Sequence, residues 1–149
     1  MTARRLTLRV LVADDSAPVR ERMVSLLGEL PRVKVAAESD DVPGTIECVR
    51  RLRPHLILLD ISMPGGSGLD VLDMIRAERI PTLVIVLTNH AEPEYETRAL
   101  RSGAVAFLDK SRDFLKAIDF IREFSERTFR HSPGPSSVRG SFAVRRPLN

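Results

Sequence analysis

The 149-residue chain has one cysteine, three histidines and no tryptophan. A lone thiol, Cys48, cannot close an internal disulfide. In a helical stretch it reads as a small apolar residue of a reducing cytosol. No apolar run approaches the roughly 18 residues that a membrane span requires. The opening Met1-Thr2-Ala3-Arg4-Arg5-Leu6 is basic but has no hydrophobic signal core behind it, so export is not expected and the expected location is cytoplasmic. No internal sequence repeat is visible.

Acid is missing from one end of the chain. From His131 onward there are three arginines, Arg139, Arg145 and Arg146, and no Asp or Glu, which leaves 20 basic against 20 acidic residues in 1–130. The formal charge of +3 therefore sits in the tail. A neutral domain with a short basic tail is weak grounds for nucleic-acid binding. Residues 131–149 hold Pro133, Gly134, Pro135, Ser136, Ser137, Gly140 and Pro147 without an apolar period, and are expected to be a disordered tail. Residues 1–130 are long enough for one domain with a real core.

What is present is an alternation. Continuous apolar runs of four or five residues, expected as strands near 9–13, 33–37, 56–60, 83–87 and 104–108, are separated by helical segments. This is the pattern of a parallel sheet covered on both faces. The first helix, about 17–29, repeats Val19, Met23, Leu26 and Leu30, with Ser16 as N-cap and Pro31 as a stop. The second, about 43–51, buries Ile46, Val49 and Leu52. The third opens at Ser67 with Asp70 three residues on and buries Leu69, Leu72 and Ile75. The fourth, about 92–101, stops at Ser102-Gly103. The last runs from about 113 to 128 on a stripe of Phe114, Ile118, Ile121 and Phe129. Phe120 and Phe124 form an i, i+4 pair turned away from the centre of that stripe. They either pack at its margin or belong to a partner or homodimer surface. Five strand–helix pairs with right-handed crossovers give an α/β, doubly wound, five-stranded parallel sheet.

The strand ends carry the chemistry. Asp14 and Asp15 follow the first strand, Asp60 the third, Thr88 the fourth and Lys110 the fifth. In open parallel sheets ligands bind outside the carboxyl ends of the strands. Three carboxylates gathered there repel one another unless a cation neutralises them, and oxygen ligands without a His or Cys ring favour Mg²⁺. Asp60 is then the nucleophile that accepts a phosphoryl group, Asp15 and Asp60 chiefly hold the metal with Asp14 close by, Lys110 meets the phosphate oxygens, and Thr88 offers a hydroxyl.

The ordered set Asp14-Asp15, Asp60 with Met63-Pro64-Gly65 behind it, Thr88, Phe107 and Lys110 resembles the receiver domain of response regulators in two-component signalling, over about residues 8–128. The resemblance implies a flavodoxin-like sheet of order 2-1-3-4-5. It implies Mg²⁺-dependent phosphorylation of Asp60 by a histidine kinase or histidine phosphotransfer protein, with the Ser62 carbonyl as a further metal ligand. It also implies a switch in which Thr88 turns toward the phosphoryl group, Phe107 moves inward, and the face of the fourth helix, fifth strand and fifth helix changes for a downstream target protein.

Three positions depart from the family pattern. Ser111 follows Lys110 where a cis proline is usual, and Asn89 follows Thr88 where a very small residue is usual. His90 occupies a position that tunes dephosphorylation. The roughly 20 residues after the last helix cannot hold a DNA-binding module, so a single-domain signalling protein, not an enzyme, is expected. Two other readings remain: a receiver-like interaction module that works without phosphorylation, and an aspartate-nucleophile phosphohydrolase. The second usually has another Asp two residues after the nucleophile, and here that position is Ser62.

Overall fold

The structure, a computed structural model, describes residues 6–130. The expected tail at 131–149 lies outside the described residues. Five parallel strands, β1 (Leu8–Ala13), β2 (Val33–Ser39), β3 (Leu56–Leu59), β4 (Leu83–Thr88) and β5 (Ala106–Asp109), lie side by side in the order β2-β1-β3-β4-β5. Five helices connect and follow them: α1 (Ala17–Gly28), α2 (Val42–Leu52), α3 (Gly68–Ala77), α4 (Pro93–Arg101) and α5 (Phe114–Arg130). This is the flavodoxin-like arrangement, with the strand order reversing beside β1.

Each strand feeds two cores because successive side chains point to opposite faces. Leu11, Ile57, Leu59, Val84 and Val86 pack with Val49, Leu69, Leu72, Ile75 and Ala99 of α2, α3 and α4. Val10, Val12, Leu56, Leu58, Ile85 and Leu87 pack with Met23 and Leu27 of α1 and with α5. Full burial of such a side chain contributes about 1.5–3 kcal/mol. Buried on both faces, the central strands β1, β3 and β4 show little polar alternation, whereas the edge strand β2 exposes Lys34 and Glu38.

Element boundaries move by one or two residues, for local reasons. α1 stops at Gly28, before Pro31, where the Glu29 and Leu30 amides bond back to Leu26 and Leu27 carbonyls. The buried row of α1 includes Leu27, while Leu26 and Leu30 are only half-buried. β5 begins at Ala106, because Gly103 has φ of +109° and the Ala104 amide still bonds to Ala99 at the end of α4. Between β3 and α3, Ser62–Met63 pairs antiparallel with Gly66–Ser67. The turn joining them needs Gly65 (φ +87°) and Gly66 (φ +140°), backbone that side chains disfavour.

The aromatic pair on α5 divides. Phe124 is buried in the core with Ile121 and Phe114, whereas Phe120 is half-buried at its margin. Ala117, Ile121 and Phe124 face the sheet together, so the buried stripe lies closer to Phe124 than the large residues alone suggest. Phe124 thus belongs to the monomer's interior and not to an outer surface. Phe124→Ala is expected to cost about 3–5 kcal/mol in urea unfolding, and Phe120→Ala much less. Equal losses at the two positions would contradict this packing.

Candidate functional site

β1 and β3 are neighbours in register, with Ala13 opposite Leu59, so Asp14 and Asp60 leave the sheet side by side. The backbone fixes both: Asp60 N–H donates to the Ala13 carbonyl at 3.0 Å and Asp14 N–H to the Ser39 carbonyl at 3.0 Å. Both side chains are almost fully buried. Asp14 Oδ1 accepts the Ser16 N–H at 2.9 Å, and Ser16 in turn caps α1 through the Val19 N–H at 3.3 Å. Asp60 Oδ1 accepts the Ser62 N–H at 3.1 Å. Asp15 is exposed at the rim.

Lys110 arrives from the far side of β4. Its backbone N–H is tied to the Thr88 carbonyl at 2.8 Å. Its Nζ donates to Asp60 Oδ2 at 2.7 Å. The same Nζ is ion-paired with Asp14 Oδ2 at 2.7 Å. Burial pushes the Asp14 carboxyl above its usual range; Lys110 and the Ser16 N–H offset this only in part, and the Asp60 charge adds to the rise. For Lys110, burial acts to lower the pKa, but the two carboxylates together outweigh it and hold the ammonium above its ordinary value.

Carboxylate oxygens of Asp14, Asp15 and Asp60 lie within 4.8 Å of one another. With Lys110 these three leave a formal charge of −2. An all-oxygen donor set of three carboxylates, only partly offset by one ammonium, fits a hard divalent cation that keeps several waters. Such an ion would neutralise what Lys110 leaves uncompensated.

Residues 10–122 match the family described as response regulator receiver domain. The chain belongs to that family. It is 33% identical to protein-glutamate methylesterase/protein-glutamine glutaminase 4 of Myxococcus xanthus, covering 94% of this chain and 45% of the relative. It is 36% identical to the probable transcriptional regulatory protein NarL of Mycobacterium tuberculosis, over 74% of this chain and 53% of that protein. The chain spans about half the length of these curated relatives. Among solved structures, the receiver domain of M. tuberculosis NarL superimposes with a TM-score of 0.75 at 31% identity, covering 81% of this chain and 98% of that one. The response regulator domain of Thermotoga maritima CheB gives 0.72 at 30% identity, covering 85% and 99%.

Within this receiver fold, Asp14, Asp15, Asp60 and Lys110 are gathered together. Ser62 is exposed beside Asp60 and touches it through its N–H. Thr88 ends β4, fully buried, and its hydroxyl accepts the His90 N–H at 3.1 Å. Phe107 is half-buried against the core that β-strands share with α2, α3 and α4. Asn89 and His90 are exposed in the β4–α4 loop, with the His90 ring edge-on to Tyr95 at 6.3 Å. The Lys110–Ser111 peptide is trans, as are the others described. No described helix is long and apolar enough to cross a membrane.

Two supporting residues carry no signal that sequence reasoning could use. Arg20 looks like a solvated helix residue, yet it donates to the Asp14 carbonyl at 2.7 Å and pairs with Glu38 at 3.3 Å, clamping the loop after β1. Gly68 looks like a spare glycine between Ser67 and Leu69. It starts α3 against the backbone of Asp60, where an added Cβ would fall on the Asp60 carbonyl and 2.9 Å from Ile61 Cα. Backbone cannot yield there, so Gly68→Ala should destabilise the domain by about 1–3 kcal/mol in urea unfolding. Unchanged stability would mean that α3 does not seat on Asp60 as described.

Proposed function

We propose that this receiver domain takes a phosphoryl group onto Asp60 from the phosphohistidine of a histidine kinase or histidine phosphotransfer protein. A carboxylate oxygen of Asp60 forms the new O–P bond as the N–P bond of the donor breaks, and the electron pair of that bond leaves with the imidazole. The observation that carries this reading is the Lys110 ammonium, 2.7 Å from Asp60 Oδ2 in a buried pocket at the carboxyl edge of the sheet. There it can neutralise the phosphoryl oxygens, which is most of what phosphoryl transfer asks of a protein. Asp14, Asp15 and Asp60, with the Ser62 carbonyl, would hold Mg²⁺, which supplies further charge neutralisation when bound.

The added phosphate contributes a charge of about −1.5 to −2 beside residues already crowded with carboxylates. On this reading the Thr88 hydroxyl leaves the His90 N–H for the phosphoryl group and Phe107 moves inward. The equilibrium of the α4-β5-α5 face then shifts toward its signalling form. Support for that face comes from exposed apolar side chains. Apart from Leu6, the large ones among the described residues are Tyr95 and Leu100 on α4, Val105 just before β5 and Leu115 on α5. A downstream protein or a second copy of the domain would cover them in the cytoplasm. The domain is thus a phosphoacceptor signalling module, without turnover of a separate substrate.

Incubation with Mg²⁺ and acetyl phosphate should add one base-labile phosphate by intact mass to the wild type and none to Asp60→Asn. Equal behaviour of the two proteins would overturn the assignment and favour an interaction module that functions unphosphorylated.

A further inference from the structure

The loop carrying Lys110 has its own side-chain scaffold. Asp109 Oδ1 accepts three hydrogen bonds from the residues that follow Lys110: Ser111 N–H at 2.9 Å, Ser111 Oγ–H at 2.9 Å and Arg112 N–H at 3.2 Å. From the other side, Asp113 Oδ2 accepts the Asp109 N–H at 3.1 Å, and the Asp113 N–H donates to the Asp109 carbonyl at 2.7 Å. Lys110 is the residue enclosed by this turn. Its own N–H is fastened to the Thr88 carbonyl, directly opposite Asp109 across β4 and β5.

We propose that Asp109 and Ser111 are positioning residues for the phosphoryl-transfer site: their closed turn aims the Lys110 ammonium at Asp60 and Asp14. The inference rests on the reading of Asp60 as phosphoacceptor and assigns a role to residues outside that set. A lysine has a four-carbon stem and many rotamers, so two short contacts to buried carboxylates require a fixed Cα and a fixed Cα–Cβ direction. The peptide after Lys110 is trans and Ser111 has no ring to restrict it. A side-chain acceptor reaching forward two residues supplies the missing restraint, as Asp does in turns generally. The Ser111 hydroxyl is the leading cause, with the Arg112 N–H next, that holds the Asp109 carboxyl below its usual range, in keeping with an acceptor engaged from several directions.

The role is one of geometry and not of charge, so Asp109→Asn should keep an acceptor in place and preserve it. Asp109→Ala should slow phosphate uptake from acetyl phosphate about tenfold or more, and Ser111→Ala, which loses one bond of three, about threefold. In a Lys110→Ala background the Asp109→Ala change should have no further effect, because what it positions is gone. A second measurement needs no phosphorylation. The Lys110 ammonium, held between two carboxylates, should give a slowly exchanging side-chain ¹⁵N–¹H signal in the wild type and Asp109→Asn, lost in Asp109→Ala. Equal slowing in both backgrounds, an unchanged ammonium signal in Asp109→Ala, or no such signal in the wild type would each overturn the inference. If the wild type takes up no phosphate, the reading of Asp60 fails, and the ammonium signal decides the turn by itself.

Discussion

The ammonium of Lys110 stands between two carboxylates that the fold has withdrawn from water, and every other feature of the site accommodates that contact. Asp14 and Asp60 sit together because β1 and β3 are neighbours; they tolerate each other because a cation from β5 reaches across β4. A buried ion pair of this kind is poor evidence of stability, since desolvation offsets much of the attraction. What it secures is a buried carboxylate, Asp60, with a positive charge already in place. The compensation is incomplete, since one ammonium stands against the three clustered carboxylates of Asp14, Asp15 and Asp60. The remaining negative charge is of the kind a divalent cation would neutralise.

The polar site and the exposed apolar side chains occupy different parts of the domain. Asp14, Asp60 and Thr88 stand at the ends of buried strands, and Lys110 follows the half-buried edge strand β5, with backbone hydrogen bonds and neighbouring helix starts fixing the polar groups. Ser16 links Asp14 to the N-terminus of α1, and Gly68 seats α3 on the backbone of Asp60. Apart from Leu6, the large exposed apolar side chains among the described residues lie instead on α4, just before β5 and on α5. Those elements are joined to the site by Thr88 and Lys110 at their common edge. A change of charge at Asp60 therefore has a short physical route outward.

The loop after β5 is closed by its own side chains. Its trans backbone is closed by Asp109 and Asp113, with Ser111 as a donor from both its amide and its hydroxyl. The similarity to receiver domains of M. tuberculosis NarL and T. maritima CheB spans nearly the whole of those domains, so the fold is shared with them.

Periodicity and strand-end chemistry were legible directly. Uninterrupted runs such as Leu56–Leu59 must be buried on both sides, and a parallel sheet then sends all its carboxyl ends to one edge. From this, Asp14, Asp15, Asp60, Thr88 and Lys110 were expected together. What one dimension could not supply was the partnering. The buried side of α5 depends on how the helix rolls against the sheet, which carried Phe124 inward and left Phe120 at the margin. The exposed apolar residues of the α4-β5-α5 region look no different in sequence from core residues. Arg20 and Gly68 have ordinary local patterns, and only the folded chain sets them against Asp14 and Asp60, whereas the Asp109 turn closes on residues within four positions of it. Local propensity and burial fix which elements form; contacts between residues far apart in the chain exist only after those elements have packed.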